Sequence, residues 1–217
     1  MKKYKYLLFD LDGTLILSHE GIFNCAQYAL EKLGKPRASE EKLRGCIGPV
    51  LEDGFSLVLG LSKEESKLAT QIYRERYREK GVWENSPMDG ALQALERLDK
   101  AGYILALSTS KPQVFAKQIT QRFGFAKYLK EEVGCGLDGS FHTKGLVIKE
   151  TVSRLQAKKQ DCLMIGDRKQ DAIGAEEVGI DCALLRIGYG EESELQSANP
   201  KYIFDGFSDL VEFLTKE

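Results

Sequence analysis

Two aspartates two residues apart, in the run Asp10-Leu11-Asp12-Gly13-Thr14, stand directly behind the apolar segment Tyr6 to Phe9. A short apolar and aromatic run that stops at a carboxylate suits a buried strand delivering Asp10 at its carboxyl end. Two carboxylates at this spacing can face one pocket, one as nucleophile and the other as proton shuttle. That division of labour suits phosphoryl transfer. Attack by a carboxylate splits one hard displacement into two easier ones, and a neighbouring acid protonates the leaving oxygen and later activates water.

In an open parallel sheet, ligands bind outside the carboxyl ends of the strands, so the polar residues that follow each apolar run are the ones to weigh. They are Ser108-Thr109-Ser110-Lys111, a loop carrying Lys144, and Gly166-Asp167-Arg168-Lys169-Gln170-Asp171. Thr109 and the Ser110 amide can donate to phosphoryl oxygens, and Lys144 can place a point charge on the transition state. Several crowded acids repel one another and a phosphate dianion unless a hard cation intervenes. Magnesium, which prefers carboxylate and water oxygens, meets that need, with Asp167 as a third carboxylate. Each feature alone has a plain structural reading: Asp-x-Asp as a turn, Thr109 or Ser110 as a cap for the following helix, Lys144 as a surface lysine, Asp171 as a helix cap. Their joint occurrence, each after the appropriate strand, favours the chemical reading.

The elements that must position these residues follow from periodicity. Apolar strands read at Tyr6 to Phe9, Tyr103 to Leu107, Cys162 to Ile165, Cys182 to Leu185 and Tyr202 to Phe204, with helices at about 90–101, 112–123, 145–155, 172–178 and 207–214. Strands separated by amphipathic helices imply parallel crossovers and a helix-sheet-helix domain. Between about residues 16 and 85 the pattern is all-helical. Gly21 to Leu33 carries apolar residues at helical spacing, Ser39 can cap a short helix through Leu43, and Ser62 with Glu65 has the capping-box pattern ahead of a helix ending near Gly81. The expected organisation is a core of residues 1–15 and 86–217, with a helical domain of residues 16–85 inserted after the first strand.

Composition excludes several classes. The chain has 217 residues, 42% hydrophobic and 29% charged, which is ordinary globular composition. Its net charge of -2 is spread without a long basic block, so a nucleic-acid surface is not expected. The apolar stretch before Asp10 is too short for a signal-peptide core or a membrane span, which makes a cytoplasmic protein without a membrane partner the expectation. The five scattered cysteines lack metal or disulfide spacing and read as reduced and mostly buried; two isolated histidines offer no zinc site. The sequence carries no signal for oligomeric state.

The run Phe9-Asp10-Leu11-Asp12-Gly13-Thr14-Leu15, with Thr109, Lys144 and the Gly166-Asp167 to Asp171 spacing, resembles the four motifs of the haloacid dehalogenase superfamily across essentially the whole chain. The resemblance implies a Rossmann-like, three-layer α/β core of parallel strands, with the helical insertion as a small cap that closes over the core and sets substrate choice. It also implies magnesium held by the side chains of Asp10 and Asp167 and the main-chain carbonyl of Asp12, with Asp171 as an outer or water-mediated partner. A carboxylate at Asp12 disfavours the dehalogenases and ion-pumping ATPases of that superfamily. The nearest subgroup is phosphoglycolate phosphatase-like, including nucleotidases, through Ile47-Gly48-Pro49-Val50-Leu51-Glu52-Asp53 and Ser108-Thr109-Ser110-Lys111-Pro112; Val50 and Ser110 depart from its usual proline and asparagine. The implied activity is hydrolysis of a small phosphorylated metabolite through a phosphoryl-aspartate. The alternatives are a sugar-phosphate mutase of the beta-phosphoglucomutase kind, a pyrophosphatase, or a non-catalytic binding protein. Within the helical insertion, Arg44, Arg76 and Arg78 could grip a substrate anion, Asn24 is a further candidate, and Phe23 and Tyr28 read as packing.

Overall fold

The computed structural model describes residues 3–48 and 50–216. The motif segment Ile47–Asp53 therefore includes one position, Pro49, outside the described residues, as are Met1 and Lys2. The chain forms two compact units, one of Leu17–Ser86 and one of the residues up to Ile16 together with those from Pro87 onward. The short strands β2 (Ile16–Leu17) and β3 (Ser86–Pro87) carry the chain across that boundary.

The larger unit is built on a six-stranded sheet in the order β5-β4-β1-β6-β7-β8. Its strands are β1 (Tyr6–Phe9), β4 (Ile104–Pro112), β5 (Leu129–Cys135), β6 (Cys162–Gly166), β7 (Asp181–Leu185) and β8 (Tyr202–Phe204). Every pairing is parallel. Parallel strands need crossovers, supplied here by α5 (Ala91–Lys100), α6 (Gln113–Arg122), α7 (Lys144–Arg154) and α8 (Lys169–Val178), with α9 (Glu192–Ser197) and α10 (Phe207–Thr215) completing the unit. One sheet face places Leu8, Met164, Cys182 and Leu184 against Ile148 of α7 and Ala172 and Ala175 of α8. The alternating residues Leu7, Phe9, Leu163, Ile165, Ala183 and Leu185 are equally buried, so both faces are covered and the layered α/β architecture stands. The five cysteines are free and buried.

Register sets the site. Phe9 pairs with Leu107 on one side and Ile165 on the other, which brings Asp10, Ser108 and Gly166 to the same level at the carboxyl ends. The connection leaving β1 runs to β4 on one flank, while the connection leaving β6 runs to β7 on the other. The topological switch point, where open α/β sheets form their crevice, therefore lies between β1 and β6, at Asp10 and Asp167.

The smaller unit contains α1 (His19–Lys32), α2 (Glu40–Arg44), α3 (Leu51–Asp53) running into a π-helical turn (Gly54–Val58), and α4 (Lys63–Glu79). Ser39 caps α2 by accepting from the Lys42 amide. Ser62 and Glu65 form the expected capping box. Ile22, Phe23, Ala26, Ala29 and Leu30 of α1 are buried, as are Phe55, Tyr73 and Tyr77, with Tyr73 and Tyr77 stacked.

Three differences from the sequence reading have physical causes. Strand β5, Leu129-Lys-Glu-Glu-Val-Gly-Cys, lies at the sheet edge and needs no continuous apolar run. Strand β4 continues through Pro112 instead of stopping at Leu107, so Ser108 to Lys111 belong to the strand; α6 then starts after Pro112, with no side-chain cap from Thr109 or Ser110. The short polar helix α9 carries only one buried residue, Leu195, too weak a stripe to register as periodic.

Leu8 is fully buried at the centre of this packing. Leu8→Ala should destabilise the protein by about 2–5 kcal/mol, read as a lowered denaturation midpoint in urea with an unchanged slope.

Candidate active site

Asp10 extends β1, and its amide donates to the Ile165 carbonyl at 2.9 Å, which fixes the backbone on which its carboxylate is mounted. Asp167 follows β6 and is fully buried, yet both of its oxygens are held: Thr14 Oγ1 donates to Oδ1 at 3.0 Å and the Tyr189 amide donates to Oδ2 at 2.7 Å. Asp171, in the first turn of α8, accepts on Oδ2 from the amides of Asp167 (3.2 Å) and Arg168 (3.1 Å). It therefore holds the helix amino terminus and also faces the site. Lys144, the first residue of α7, lies 2.7 Å from Asp10 Oδ1 and 2.7 Å from Asp171 Oδ1.

Side-chain oxygens of Asp10, Asp167 and Asp171 all come within 4.8 Å of one another. Three buried carboxylates so close are an electrostatic problem. Burial pushes Asp10 up to about 6, against the opposing pull of Lys144, and the neighbouring Asp171 and Asp12 add to the rise. Burial likewise drives Asp167 well above the usual carboxylate range, reinforced by Asp171 and Asp10. Burial also opposes the charge on Lys144, but Asp10 and Asp171 outweigh it and hold the ammonium firmly protonated. One lysine does not balance three acids. Asp10 Oδ1 and Asp171 Oδ1 share the one Lys144 ammonium, each at 2.7 Å. A compact, all-oxygen donor set in which three carboxylates share one ammonium and keep unrelieved like-charge repulsion fits a hard divalent cation such as magnesium.

The structure brings Asp10, Asp167, Asp171 and Lys144 together at the crevice. It places Asp12 differently. The Asp12 carboxylate lies outside the trio and takes both oxygens to Lys111 Nζ, at 2.7 and 3.0 Å. Thr109 is buried, and its hydroxyl accepts from the Lys111 amide at 3.2 Å, which leaves its proton to donate; Ser110 is half-buried beside it. In the smaller unit Arg44 is exposed, whereas Asn24 and Arg76 converge on Glu84. The Arg76 guanidinium is bidentate to Glu84, at 2.7 and 2.9 Å, and holds its carboxyl below the usual range. Arg76 is thus a strut between α4 and the segment after it.

Sequence reasoning names Thr14 and Lys111 within their motifs without giving either a role, and does not single out the loop Ile187-Gly188-Tyr189-Gly190. A Cβ at Gly13 or Gly188 would overlap Asp167, and Gly13 also has a φ of +84°, so both glycines are required for the backbone to close around that carboxylate. Glycine at two points after strand ends was the available signal.

The pH behaviour follows from the raised carboxylates. An unfolded aspartate ionises near about 4, so above that value the folded state retains protons that the unfolded state has lost. Metal-free protein should therefore lose melting temperature as pH rises from about 4 through about 6 and beyond. Magnesium should raise the melting temperature more at about pH 7.5 than at about pH 5, and Asp167→Asn should flatten both dependences. A metal-free melting temperature that is flat across this window, with no response to magnesium, would contradict the assignment.

Comparison with known proteins agrees with this geometry. Residues 7–185 match the family model of the haloacid dehalogenase-like hydrolases. A 5'-nucleotidase of Pseudomonas aeruginosa is 38% identical over 200 residues, covering 92% of this chain and 90% of its own. A phosphoglycolate phosphatase of Vibrio parahaemolyticus is 28% identical over 216 residues, covering 96% and 95%. Among solved structures, a predicted phosphatase from Clostridium acetobutylicum superposes with a TM-score of 0.93 at 36% identity, covering 97% of this chain and 98% of its own. With the strand-end aspartates, the parallel sheet and the matched span in agreement, the chain belongs to the haloacid dehalogenase-like hydrolase family.

Proposed function

We propose that this chain is a magnesium-dependent phosphatase of small phosphorylated metabolites, acting through a phosphoryl group carried on Asp10. The observation that carries the proposal is the separation of two carboxylate environments at one strand end. Asp10 sits in the buried trio beside Lys144, whereas Asp12, two residues later, is held apart by Lys111. Asp10 is the nucleophile and Asp12 the proton shuttle.

In the first step an Asp10 oxygen attacks phosphorus, the ester P–O bond breaks, and the leaving oxygen takes its proton from Asp12. In the second, a water gives a proton to Asp12 as its oxygen attacks the same phosphorus, the P–O bond to Asp10 breaks, and inorganic phosphate leaves. Thr109 and the Ser110 amide donate to the phosphoryl oxygens, and Lys144 places its charge beside them. Magnesium, held by Asp10 and Asp167 with Asp171 nearby and the Asp12 main-chain carbonyl as a further oxygen, would neutralise the carboxylates and stabilise charge on the phosphoryl group. Hydrolysis, rather than transfer to a second sugar hydroxyl, is favoured by relatives that bear the names 5'-nucleotidase and phosphoglycolate phosphatase.

The test is phosphate release from a panel of esters including nucleoside 5'-monophosphates, phosphoglycolate, sugar phosphates and pyrophosphate, with magnesium or chelator. Turnover should require magnesium and favour monoesters over pyrophosphate. Asp10→Asn should abolish it, and Asp12→Asn should slow it by about 10²–10⁴-fold. Undiminished release by Asp10→Asn would remove the nucleophile assignment.

A further inference from the structure

We infer that Lys111 is a positioning residue for the reaction, fixing the Asp12 carboxylate where it can exchange protons with the leaving group and with water. The inference rests on the reading of Asp12 as proton shuttle, and it assigns a role to a side chain with no direct part in the chemistry above. Lys111 belongs to a strand, where a lysine next in line would ordinarily point along the pleat. Here the ladder between β4 and β5 is interrupted: Thr109 pairs with Gly134 and Pro112 with the very next residue, Cys135, so Ser110 and Lys111 are extruded as a bulge. Bulges beside active sites re-aim side chains. Two contacts stabilise this one. Thr109 Oγ1 accepts from the Lys111 amide at 3.2 Å, and Gly134 leaves room for the Lys111 carbonyl, which a Cβ there would meet at 2.5 Å.

The consequence is that the Lys111 ammonium, on a side chain only 5% exposed, bonds both Asp12 oxygens, at 2.7 and 3.0 Å. Two charge-assisted bonds from one donor fix the plane of a carboxylate as well as its position. Each oxygen keeps a lone pair to take or return a proton. The clamp also divides the site's cations. Lys144 serves Asp10 and Asp171, and Lys111 serves Asp12. Without Lys111, both Asp12 oxygens lose the ammonium that orients them.

A positioning role is separable from substrate binding and from fold maintenance. On the best ester of the panel, Lys111→Met should lower kcat by about 10²-fold with KM moved by less than about threefold. Lys111→Arg, whose fork can also grip a carboxylate, should recover most of the loss. In an Asp12→Asn background, Lys111→Met should have no additional effect, because its action runs through Asp12. Melting temperatures establish that each variant is folded, and Lys111→Gln, which keeps N–H donors without the charge, serves with the same expected loss of kcat if the methionine variant is not. A raised KM with kcat retained, or losses that multiply in the double variant, would overturn the inference. The two readings fail differently: full turnover by Asp12→Asn removes the proton shuttle itself, whereas a disabled Asp12→Asn beside a normal Lys111→Met removes only the clamp.

Discussion

Asp10, Asp167 and Asp171 offer oxygens within 4.8 Å of one another, all three side chains are buried, and the Lys144 ammonium lies between Asp10 and Asp171. Removing a carboxylate from water is costly, and placing three together multiplies the cost unless hydrogen bonds and cations compensate. Much of the surrounding architecture serves that compensation. Thr14 and the Tyr189 amide hold Asp167, the first turn of α8 holds Asp171, and glycines at positions 13 and 188 let backbone come close enough to do so. The remaining imbalance fits the divalent cation proposed for the site.

The parallel sheet supplies the crowd in the first place. Because β1 is flanked by β4 and β6 in matched register, β1 and β6 end at one level beside Ser108 of β4, and the reversal of connection direction between β1 and β6 leaves the crevice open there. Asp10 at the end of β1 then lies level with Ser108 of β4 and Gly166 of β6, the arrangement that the proposed nucleophile, phosphate donors and metal-binding carboxylate need. Asp12 escapes the crowd through the β4 bulge and Lys111. The segment Asp10-Leu11-Asp12 thus presents two carboxylates in different surroundings, as the proposed two-step displacement needs.

The parts legible in the sequence were those in which burial and chemistry coincide along the chain. Continuous apolar runs such as Leu7-Leu8-Phe9 and Leu163-Met164-Ile165 suit central parallel strands, and the polar residues after them mark the strand ends. The capping box at Ser62 and Glu65 was local and equally plain. What was hidden depends on contacts distant in sequence. Edge strand β5 has Lys130, Glu131 and Glu132 in place of an apolar run, because one side of an edge strand meets water. The bulge at Ser110 and Lys111 exists only in relation to Gly134, and the salt link of Lys111 to Asp12 spans 99 positions. Arg76 offered a cation by composition, while its pairing with Glu84 is a matter of packing between α4 and the turn that follows it.

The central claim is that phosphorus is carried on Asp10 between two half-reactions. The direct measurement is mass spectrometry of the Asp12→Asn protein, mixed with magnesium and a reactive monoester such as p-nitrophenyl phosphate and quenched in acid. With the proton shuttle disabled and the nucleophile intact, the protein should gain the mass of one phosphoryl group, mapped to the peptide that carries Asp10 and lost on treatment with hydroxylamine. A phosphoryl group found on any other residue, or product release by this variant with no adduct at Asp10 under single-turnover conditions, would contradict the account.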